Sequence, residues 1–227
     1  MSDRGHRVGS VIAKSPAVPA APKLPSDWSA DEPRFADEEE WWQLDLDGAS
    51  FEGGAAGMEV EQCRLTRVRL GGVRMAKATL IDCALHHCDL ANLTADGCGW
   101  RRVELVECRA TGLVFVAGGL RDVSLRDCRM DLTTWRATTF TKVAFTGCDL
   151  RRADFIGADL RGAVFENCDL SGAQFSNAKL DGARFAGCDL AGLGGVASLA
   201  GATVRADDLA ALTELLAGAL GITVEQP

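Results

Sequence analysis

The sequence predicts an all-β solenoid built on a five-residue repeat, and three observations support this prediction. The nine cysteines share one phase, because each residue number leaves a remainder of three on division by five. A large apolar residue follows two positions after this phase through most of residues 58–190. Six of the cysteines are spaced by twenty residues, which corresponds to four repeats per coil. The cysteines are Cys63, Cys83, Cys88, Cys98, Cys108, Cys128, Cys148, Cys168 and Cys188.

Each repeat combines a short extended part with a bend. Ala153 and Phe155 illustrate the extended part, in which a small and a large apolar residue flank one polar residue and therefore share a face of a strand. The next two residues favour a turn, as at Gly157 and Asn167, because these residue types tolerate a positive φ angle. The apolar residues are therefore expected to fill a narrow lumen around which the coils stack.

The stretch CDLRRADFIGADLRGAVFENCDL, residues 148–170, resembles the A(D/N)Lxx unit of the pentapeptide-repeat family. The resemblance covers roughly residues 44–190 and is strongest between 143 and 190. It implies a right-handed, four-sided β-helix with four repeats per coil. About six to seven coils are expected. An aromatic column is also expected, and it contains Phe115, Trp135, Phe155 and Phe175.

The cysteines are expected to be free thiols inside the lumen. Cysteine acts as a small hydrophobe that is slightly larger than alanine. No CxxC pair occurs in the sequence, which argues against a zinc site. Disulfides between stacked cysteines are the alternative, but the odd number of cysteines and the lack of a secretory signal favour a reducing cytoplasm.

Three segments are predicted along the chain. Residues 1–40 are rich in alanine and proline, lack a period, and are expected to form a disordered acidic tail. Residues 41–200 are assigned to the β-helix with its N-terminal cap, and residues 201–227 to a C-terminal helical cap. Solenoids need such caps, since their terminal coils expose apolar surface and strand edges.

The two caps have recognisable sequence features. Trp41 and Trp42 are expected to cover the lower end of the lumen, and GGAAG at 53–57 to absorb a change of phase. A helix is predicted at about 206–220, with dimerisation through it as the alternative to capping. Its apolar stripe consists of Leu209, Leu212, Leu216 and Leu220.

The net charge of −8 is unevenly distributed. It divides into −6 for residues 1–57, +1 for residues 58–190 and −3 for residues 191–227. Several members of the pentapeptide-repeat family imitate duplex DNA, bind DNA gyrase or a related type II topoisomerase, and protect it from inhibitors. Such a mimic needs a continuous negative field, whereas the predicted rod is nearly neutral.

Residue positions modulo twenty predict two charged edges on the rod. The basic edge is a candidate for binding an acidic partner or a phosphate, and it consists of Arg101, Arg102, Arg121, Lys142 and Arg161. The acidic edge includes Arg126 among its carboxylates, which are Glu104, Glu107, Asp127 and Glu166. The alternative to both sites is a solvated surface of mixed charge, and the basic edge is too small to predict nucleic-acid binding.

No catalytic, cofactor-binding or metal-binding residues are predicted. The sequence lacks the usual nucleotide-binding, hydrolase and metalloprotease motifs in a confirming context. His86 and His87 are adjacent on a turn, and a weak metal site with Glu107 is the remote alternative.

The predicted function is that of a cytoplasmic, non-enzymatic protein-interaction module on a rigid β-helix. The alternative is a DNA mimic that binds gyrase or a related topoisomerase. Membrane association and cofactors are not expected, and a homodimer through the C-terminal helix is left open.

Overall fold

The structure, a computed structural model, describes residues 17–223. They form a parallel β-solenoid of about eight turns with one C-terminal helix, which confirms the predicted right-handed, four-sided β-helix of pentapeptide repeats. Consecutive coils pair in parallel with a register of twenty residues through most of the rod, as in the pairing of Leu85 with Leu105. The apolar centres of the repeats therefore stack in columns along the lumen.

The strands are short except where one strand turns a corner of the rod. They are β1 (Glu40–Trp42), β2 (Asp45–Asp47), β3 (Gly54–Ala56), β4 (Glu59–Glu61), β5 (Arg64–Thr66), β6 (Arg74–Ala76), β7 (Thr79–His86), β8 (Thr94–Asp96), β9 (Gly99–Val106), β10 (Val114–Val116), β11 (Gly119–Arg126), β12 (Thr139–Thr146), β13 (Val164–Glu166), β14 (Arg184–Ala186) and β15 (Thr203–Val204). Two 3-10 segments follow, at Val196–Leu199 and Ala206–Leu212, and the helix α1 spans Thr213–Ala219.

We name the four sides A to D in chain order within each coil. In β9, residues 99–101 belong to side A and residues 103–106 to side B. Corner AB lies between them at Arg102, which has a φ angle of 51°. Side C contains the bridge between Asp89 and Arg109, and side D contains β8 and β10. Corner BC, between sides B and C, contains the positive-φ residue Glu107.

Aspartate before the central residue of a repeat fixes the bend that follows. The Oδ1 atoms of Asp149, Asp169 and Asp189 accept the N–H of the residue two positions later at 3.2, 3.0 and 2.9 Å. Such side-chain bonds mimic a backbone turn. They explain why aspartate is the polar residue of so many repeats, although it is a poor strand former.

Two aromatic columns fill the upper lumen. The predicted column is present, and its Phe155 and Phe175 rings lie 5.0 Å apart and nearly parallel. A second column, not predicted, stacks Phe145, Phe165 and Phe185 at 5.0 and 4.9 Å. The columns meet edge to face, as expected from the quadrupoles of aromatic rings.

All nine cysteines are free and buried, as predicted. Burial raises the pKa of the Cys83 thiol to about 12 and that of Cys63 to about 11. In the twenty-residue ladder, hydrogen bonds from neighbouring thiols and burial both raise the pKa of Cys108 and Cys148. These thiols therefore act as small core residues.

The lower end of the lumen is closed by Trp41, Phe35 and Phe51. Trp41 is buried, its ring centroid lies 5.0 Å from that of Phe51, and its Nε1 donates to the carbonyl of Arg34 at 2.6 Å. The prediction for Trp42 is wrong, since Trp42 is 55 % exposed. Adjacent strand residues face opposite sides, so only one of the two tryptophans points inward.

A change of phase occurs at each end of the rod. Leu46 pairs with Leu65, an offset of nineteen, whereas Ala55 pairs with Met75, an offset of twenty. The offset changes between Ser50 and Gly54, so the predicted correction is present but lies at the start of residues 53–57 rather than across them. A second correction lies above Leu190, since Val204 pairs with Phe185 at an offset of nineteen. The estimate of six to seven coils was too low because the shifted terminal coils had been left out.

The upper end carries a shorter helix than the predicted helix at 206–220. Residues 206–212 form a 3-10 segment, and only Thr213–Ala219 is α-helical. Leu212 is buried against the lumen, whereas Leu209 and Leu220 are exposed. Asp208 Oδ2 accepts the N–H groups of Gly187 and Cys188 at 2.7 and 3.2 Å. The segment thus covers the last coil and satisfies amides at its edge.

The N-terminal segment lies against the rod. Disorder was predicted for residues 1–40, but the described residues from 17 onward contact the β-helix, and residues 1–16 lie outside the described part. Lys23 N donates to Asp82 at 2.9 Å, and Ala20 N donates to Asp122 at 3.2 Å. Proline stiffens this segment, so that a few anchors suffice to order it.

Candidate functional site

The predicted basic edge is divided between side A and corner AB. Arg101 and Arg121 lie on side A in neighbouring strands, where they are register partners of β9 and β11. Arg161 follows further up on the same side, whereas Arg102 and Lys142 lie at the corner. The five residues are therefore close along one edge but have different surroundings.

Arg102 is neutralised within the rod. Its Nε lies 2.6 Å from Asp82 Oδ1 and its second guanidinium nitrogen 2.5 Å from Asp82 Oδ2. Asp82 is only 3 % exposed. Burial opposes ionisation of Asp82, but hydrogen bonds from Arg102 and the Lys23 amide hold its pKa below the ordinary value. Such a buried pair serves the fold, because removal of either member leaves the other charge unpaired.

Lys142 and Arg161 also have carboxylate partners. Lys142 Nζ lies 3.9 Å from Asp122 Oδ1. Arg161 forms a bidentate contact with Asp159 at 2.8 and 2.6 Å, and this hydrogen bonding lowers the pKa of Asp159. The cations of both pairs are more than half exposed, so the pairs stabilise the fold only weakly. Neither cation is free of an acidic neighbour.

Arg101 and Arg121 are different, because no carboxylate of residues 17–223 lies within 4.0 Å of either guanidinium. Both side chains are exposed. They border a depression of about 350 Å³ on side A, where Gly99 and Gly119 leave the strands bare. The rest of the lining is mostly apolar and consists of three threonines with Ile81, Trp100 and Leu120. Two adjacent cations beside a shallow hollow form an anion-binding arrangement.

The acidic edge is not a continuous negative surface. Glu104 lies 3.0 Å from His86 Nε2 and 3.4 Å from a guanidinium nitrogen of Arg126. Glu107 lies 3.4 Å from His87 Nδ1 at corner BC. Arg126 therefore offsets the charge of Glu104, and each of the two glutamates also contacts a histidine.

The other two acidic residues lie further up the rod. Asp127 is exposed at corner BC beside Gly147. Glu166 lies on side B and borders a groove of about 350 Å³ between this side and the N-terminal segment. Glu104 and Arg126 border the same groove, so residues 17–21 limit access to this part of the acidic edge.

The two histidines do not share a ligand set. His86 contacts Glu104, whereas His87 contacts Glu107. Within residues 17–223, no group of three histidine, cysteine or carboxylate side chains assembles around a common point. In the same part of the chain, no helix is both long and apolar enough to cross a membrane.

Sequence reasoning missed the carboxylates of corner AB. Asp82 and Asp122 alternate there with Arg102 and Lys142, each one coil above the last. The same twenty-residue grouping that placed the two cations also contains the two aspartates. Corner AB therefore carries charges of both signs rather than a basic cluster. The spacing of the prolines in the N-terminal segment was a second unused signal.

Comparison with known proteins identifies the repeats. The family model for pentapeptide repeats matches residues 120–155 and 153–192, with eight copies. No curated protein matches the chain in sequence.

Solved structures with a similar arrangement are pentapeptide-repeat proteins. A trypsin-treated variant of QnrB1, a plasmid-mediated fluoroquinolone resistance protein, is 18 % identical, and the match covers 81 % of this chain and 99 % of that one at a TM-score of 0.40. HetL, involved in heterocyst differentiation regulation in the cyanobacterium Nostoc sp. strain PCC 7120, is 20 % identical over 70 % of this chain and 86 % of its own, at a TM-score of 0.30.

Proposed function

We propose that this chain, which contains pentapeptide repeats at residues 120–192, is a non-enzymatic interaction module that binds an acidic segment of a partner protein on side A. One observation carries the proposal: Arg101 and Arg121 have no carboxylate partner within the described residues and border a hollow above Gly99 and Gly119. The three other basic-edge residues are paired with aspartates. Of the basic edge, the proposal therefore uses only Arg101 and Arg121.

The energetics favour a ligand at this position. Like charges on neighbouring strands repel each other, and an anion between them relieves that repulsion. A guanidinium binds a carboxylate through two parallel hydrogen bonds, which adds geometric specificity. The glycines bring the ligand close to the strand backbone, since they present no side chain. The hollow is open and shallow, which suits a protein segment better than an enclosed small molecule.

A direct test measures the binding of a fluorescein-labelled octaglutamate peptide to the full chain by anisotropy. We expect binding that weakens as salt increases, because the attraction is between solvent-exposed charges. Replacing both arginines, Arg101→Glu and Arg121→Glu, should weaken binding by at least about tenfold, since each contact becomes repulsive.

The matched control is the double replacement Arg109→Glu and Arg129→Glu on side C. These arginines are also register partners one coil apart, but each has an aspartate neighbour. The control changes the net charge equally and should weaken binding much less. Equal losses in the two variants would show that overall charge, rather than the site on side A, attracts the peptide.

The alternative function is that of a DNA mimic that binds gyrase or a related topoisomerase. The charge pattern ranks it second, because cations and carboxylates alternate along the rod and neutralise one another, as in the pairs of Arg102 with Asp82 and Arg109 with Asp89. A mimic requires a continuous anionic field.

A gyrase supercoiling assay with and without a quinolone tests the alternative. We expect supercoiling to be largely unaffected at micromolar concentrations of the protein. Potent inhibition or quinolone protection would place the DNA mimic first. In that event, charge reversal of the acidic edge should abolish the effect, whereas deletion of residues 1–16, which lie outside the described part, should preserve it. The acidic edge here is Glu104, Glu107, Asp127 and Glu166.

A homodimer through the C-terminal helix is the alternative to a helix that caps its own rod. Leu212 and Asp208 engage the helix with its own rod, which supports a cap. Leu220 and Ile222 remain 76 % and 56 % exposed. Light scattering of the chain and of Leu220→Asp distinguishes a monomer from a dimer, and we expect a monomer in both.

We place the protein in the cytoplasm because its nine cysteines are free thiols.

A further inference from the structure

The N-terminal segment has a period of three residues in both sequence and burial. The prolines are spaced by three, at positions 16, 19, 22 and 25. Within the described part, every third residue is half-buried against the rod, while most residues between them are exposed. The half-buried residues are Pro19, Pro22, Pro25 and Trp28. A period of three is that of a polyproline II helix.

The anchoring hydrogen bonds follow the same period. Lys23 N donates to Asp82 at 2.9 Å, and Ala20 N donates to Asp122 at 3.2 Å. These donors are three residues apart, whereas the acceptors lie two coils apart on the rod. One turn of polyproline II rises about 9.3 Å. Two coils of stacked strands rise about 9.6 Å. The repeat of the rod therefore matches the repeat of the segment.

Corner AB provides the chemistry that such a segment needs. A polyproline II strand makes no internal hydrogen bonds, so its free N–H groups point outward and need acceptors. Asp82 and Asp122 supply carboxylate acceptors, and Arg102 and Lys142 hold these carboxylates in place. Gln62 Nε2 donates to the Lys23 carbonyl at 3.3 Å, which satisfies an acceptor as well.

Side B provides a floor of mixed polarity beside the corner. Pro19 and Ala21 border the groove there, in which Ala144 and Val164 lie among polar and charged residues of the rod. Val18, however, is 84 % exposed, so the segment is only partly seated. A segment with a few anchors and exposed backbone opens at low free-energy cost. Another segment can therefore displace residues 17–28 from the rod.

We propose that corner AB is a binding site for polyproline II segments, occupied in cis by residues 17–28, at which a proline-rich segment of a partner protein docks in their place. The partner segment carries prolines at every third position with free N–H groups between them. This site is independent of the arginine site on side A, since its acceptors are Asp82 and Asp122. It uses main-chain recognition for affinity and proline spacing for specificity.

The test uses the full chain with Pro19→Gly and Pro22→Gly, which weakens the segment in cis and leaves the rod unchanged. The probe is a fluorescein-labelled peptide with the sequence of residues 15–29. We expect this peptide to bind the variant at least about tenfold more tightly than the wild-type chain, in which the tethered segment competes at high effective concentration. The same peptide with Pro19 and Pro22 replaced by glycine should not bind.

Substitutions on the rod locate the binding site. They are made in the chain with Pro19→Gly and Pro22→Gly, which we call the released chain. Asp122→Ala should weaken peptide binding by at least about tenfold, because it removes a charged acceptor. Asp89→Ala, an exposed aspartate on side C, is the matched control and should have little effect. Circular dichroism verifies that each rod remains folded.

Hydrogen exchange of the Ala20 and Lys23 amides reports the segment itself. Both amides should be protected in the wild-type chain and exchange rapidly in the glycine variant. The proposal is overturned if the released and folded chain fails to bind the peptide. It is equally overturned if both amides stay protected after the prolines are replaced, because docking would then not depend on polyproline II structure.

Discussion

The two halves of the rod reach the same geometry with different lumens. In the upper half, Phe145, Phe165 and Phe185 stack in one column beside a second aromatic column. In the lower half, the corresponding centres are Leu85 and Leu105, and an apolar void of about 20 Å³ lies beside Ala95. The pentapeptide-repeat model matches only residues 120–192, yet the lower coils keep the same twenty-residue register. Alternation of inward residues and bends is thus sufficient for the coil, whereas the consensus residues improve its packing.

The halves also pair their charges differently. In the upper half, Arg151 and Arg161 bind the aspartate two residues earlier in the same repeat. In the lower half, Arg102 binds Asp82 one coil below, and the same holds for Arg109 and Asp89. Cross-coil pairs connect successive coils, whereas local pairs only neutralise a side. The difference is one of degree, since the upper half also contains a cross-coil pair between Arg136 and Asp154.

The largest effect should come from the stacked column. Phe165→Ala should lower the free energy of unfolding by roughly 3–5 kcal/mol, because it removes a fully buried ring between two stacked neighbours. Leu85→Ala, on the same side of the lower half, should cost about 2–3 kcal/mol. Urea denaturation measures both. A Phe165→Ala curve that overlays the wild type would contradict the packed lumen.

The repeat made most of the rod predictable from sequence. The phase of the cysteines places the inward residues, and spacing by twenty predicts the aromatic column from Phe115 to Phe175. The ends were less predictable, because a coil of nineteen residues shifts the phase and hides Leu46 and Val204 from a strict count. The short helix was also missed, since a sequence stripe does not distinguish a 3-10 from an α-helical turn.

The second prediction compares the two kinds of ion pair. Arg102→Ala should cost about 1–3 kcal/mol, because it leaves Asp82 buried without its guanidinium partner. Arg151→Ala removes a local pair with the more exposed Asp149 and should cost clearly less than Arg102→Ala, because solvent screens this pair. Thermal or urea denaturation near pH 7 gives both values. Equal losses would mean that cross-coil pairing adds nothing to the lower half.

The stabilisation by the pair of Arg102 and Asp82 depends on pH. The pKa of Asp82 is lowered in the folded chain, so its contribution is present above the unfolded value of about 3.9. It is lost as the pH falls through the folded value. The difference in stability between the wild type and Arg102→Ala should therefore shrink in acid, and a constant difference would contradict the assigned pair.

Charged sites were predictable only in part. Grouping by twenty brought Arg101 and Arg121 together correctly, because side-A positions repeat each coil. It could not separate them from Arg102, whose partner lies one coil below in a position of opposite charge. Pairing depends on side-chain direction at a corner, which the period does not contain. The N-terminal segment was assigned to disorder from composition alone, although its proline spacing matched the rod.

The third prediction concerns the thiols of the lower half. Cys83 has a pKa raised to about 12 by burial, whereas an unfolded thiol ionises near 8.5. The stability that this thiol contributes is complete below pH 8.5 and is lost as the pH rises towards 12, by at most about 1.4 kcal/mol per pH unit. Cys83→Ala, which installs the residue found at 163 and 183, should remove this part of the alkaline destabilisation.

Denaturation at pH 7.5, 9 and 10 measures this difference, and both halves should also resist native labelling by a thiol reagent. Rapid labelling of Cys148 or Cys168 without denaturant would show that the ladder is accessible. An identical alkaline loss in the wild type and in Cys83→Ala would show that other groups cause it.

The smallest expected effect is an increase in the free energy of unfolding. Ala95 lies between Met75 and Phe115 in its column and borders the void of the lower lumen. Ala95→Val adds two methyl groups towards that space and places a β-branched residue in a strand, so stability should rise by about 0.5–1 kcal/mol. The comparison in the upper half is Ala173→Val, which lies on the same side of the coil but at the small inward position rather than at the centre of a repeat. That alanine is fully buried and lies where the lumen is filled by phenylalanine, so the extra volume should cost about 1–3 kcal/mol. Urea midpoints at constant slope measure both variants. Opposite signs would show that the lower half is underpacked and the upper half is at its limit, whereas a loss in both would mean that the void cannot accept a side chain without moving the strands around it.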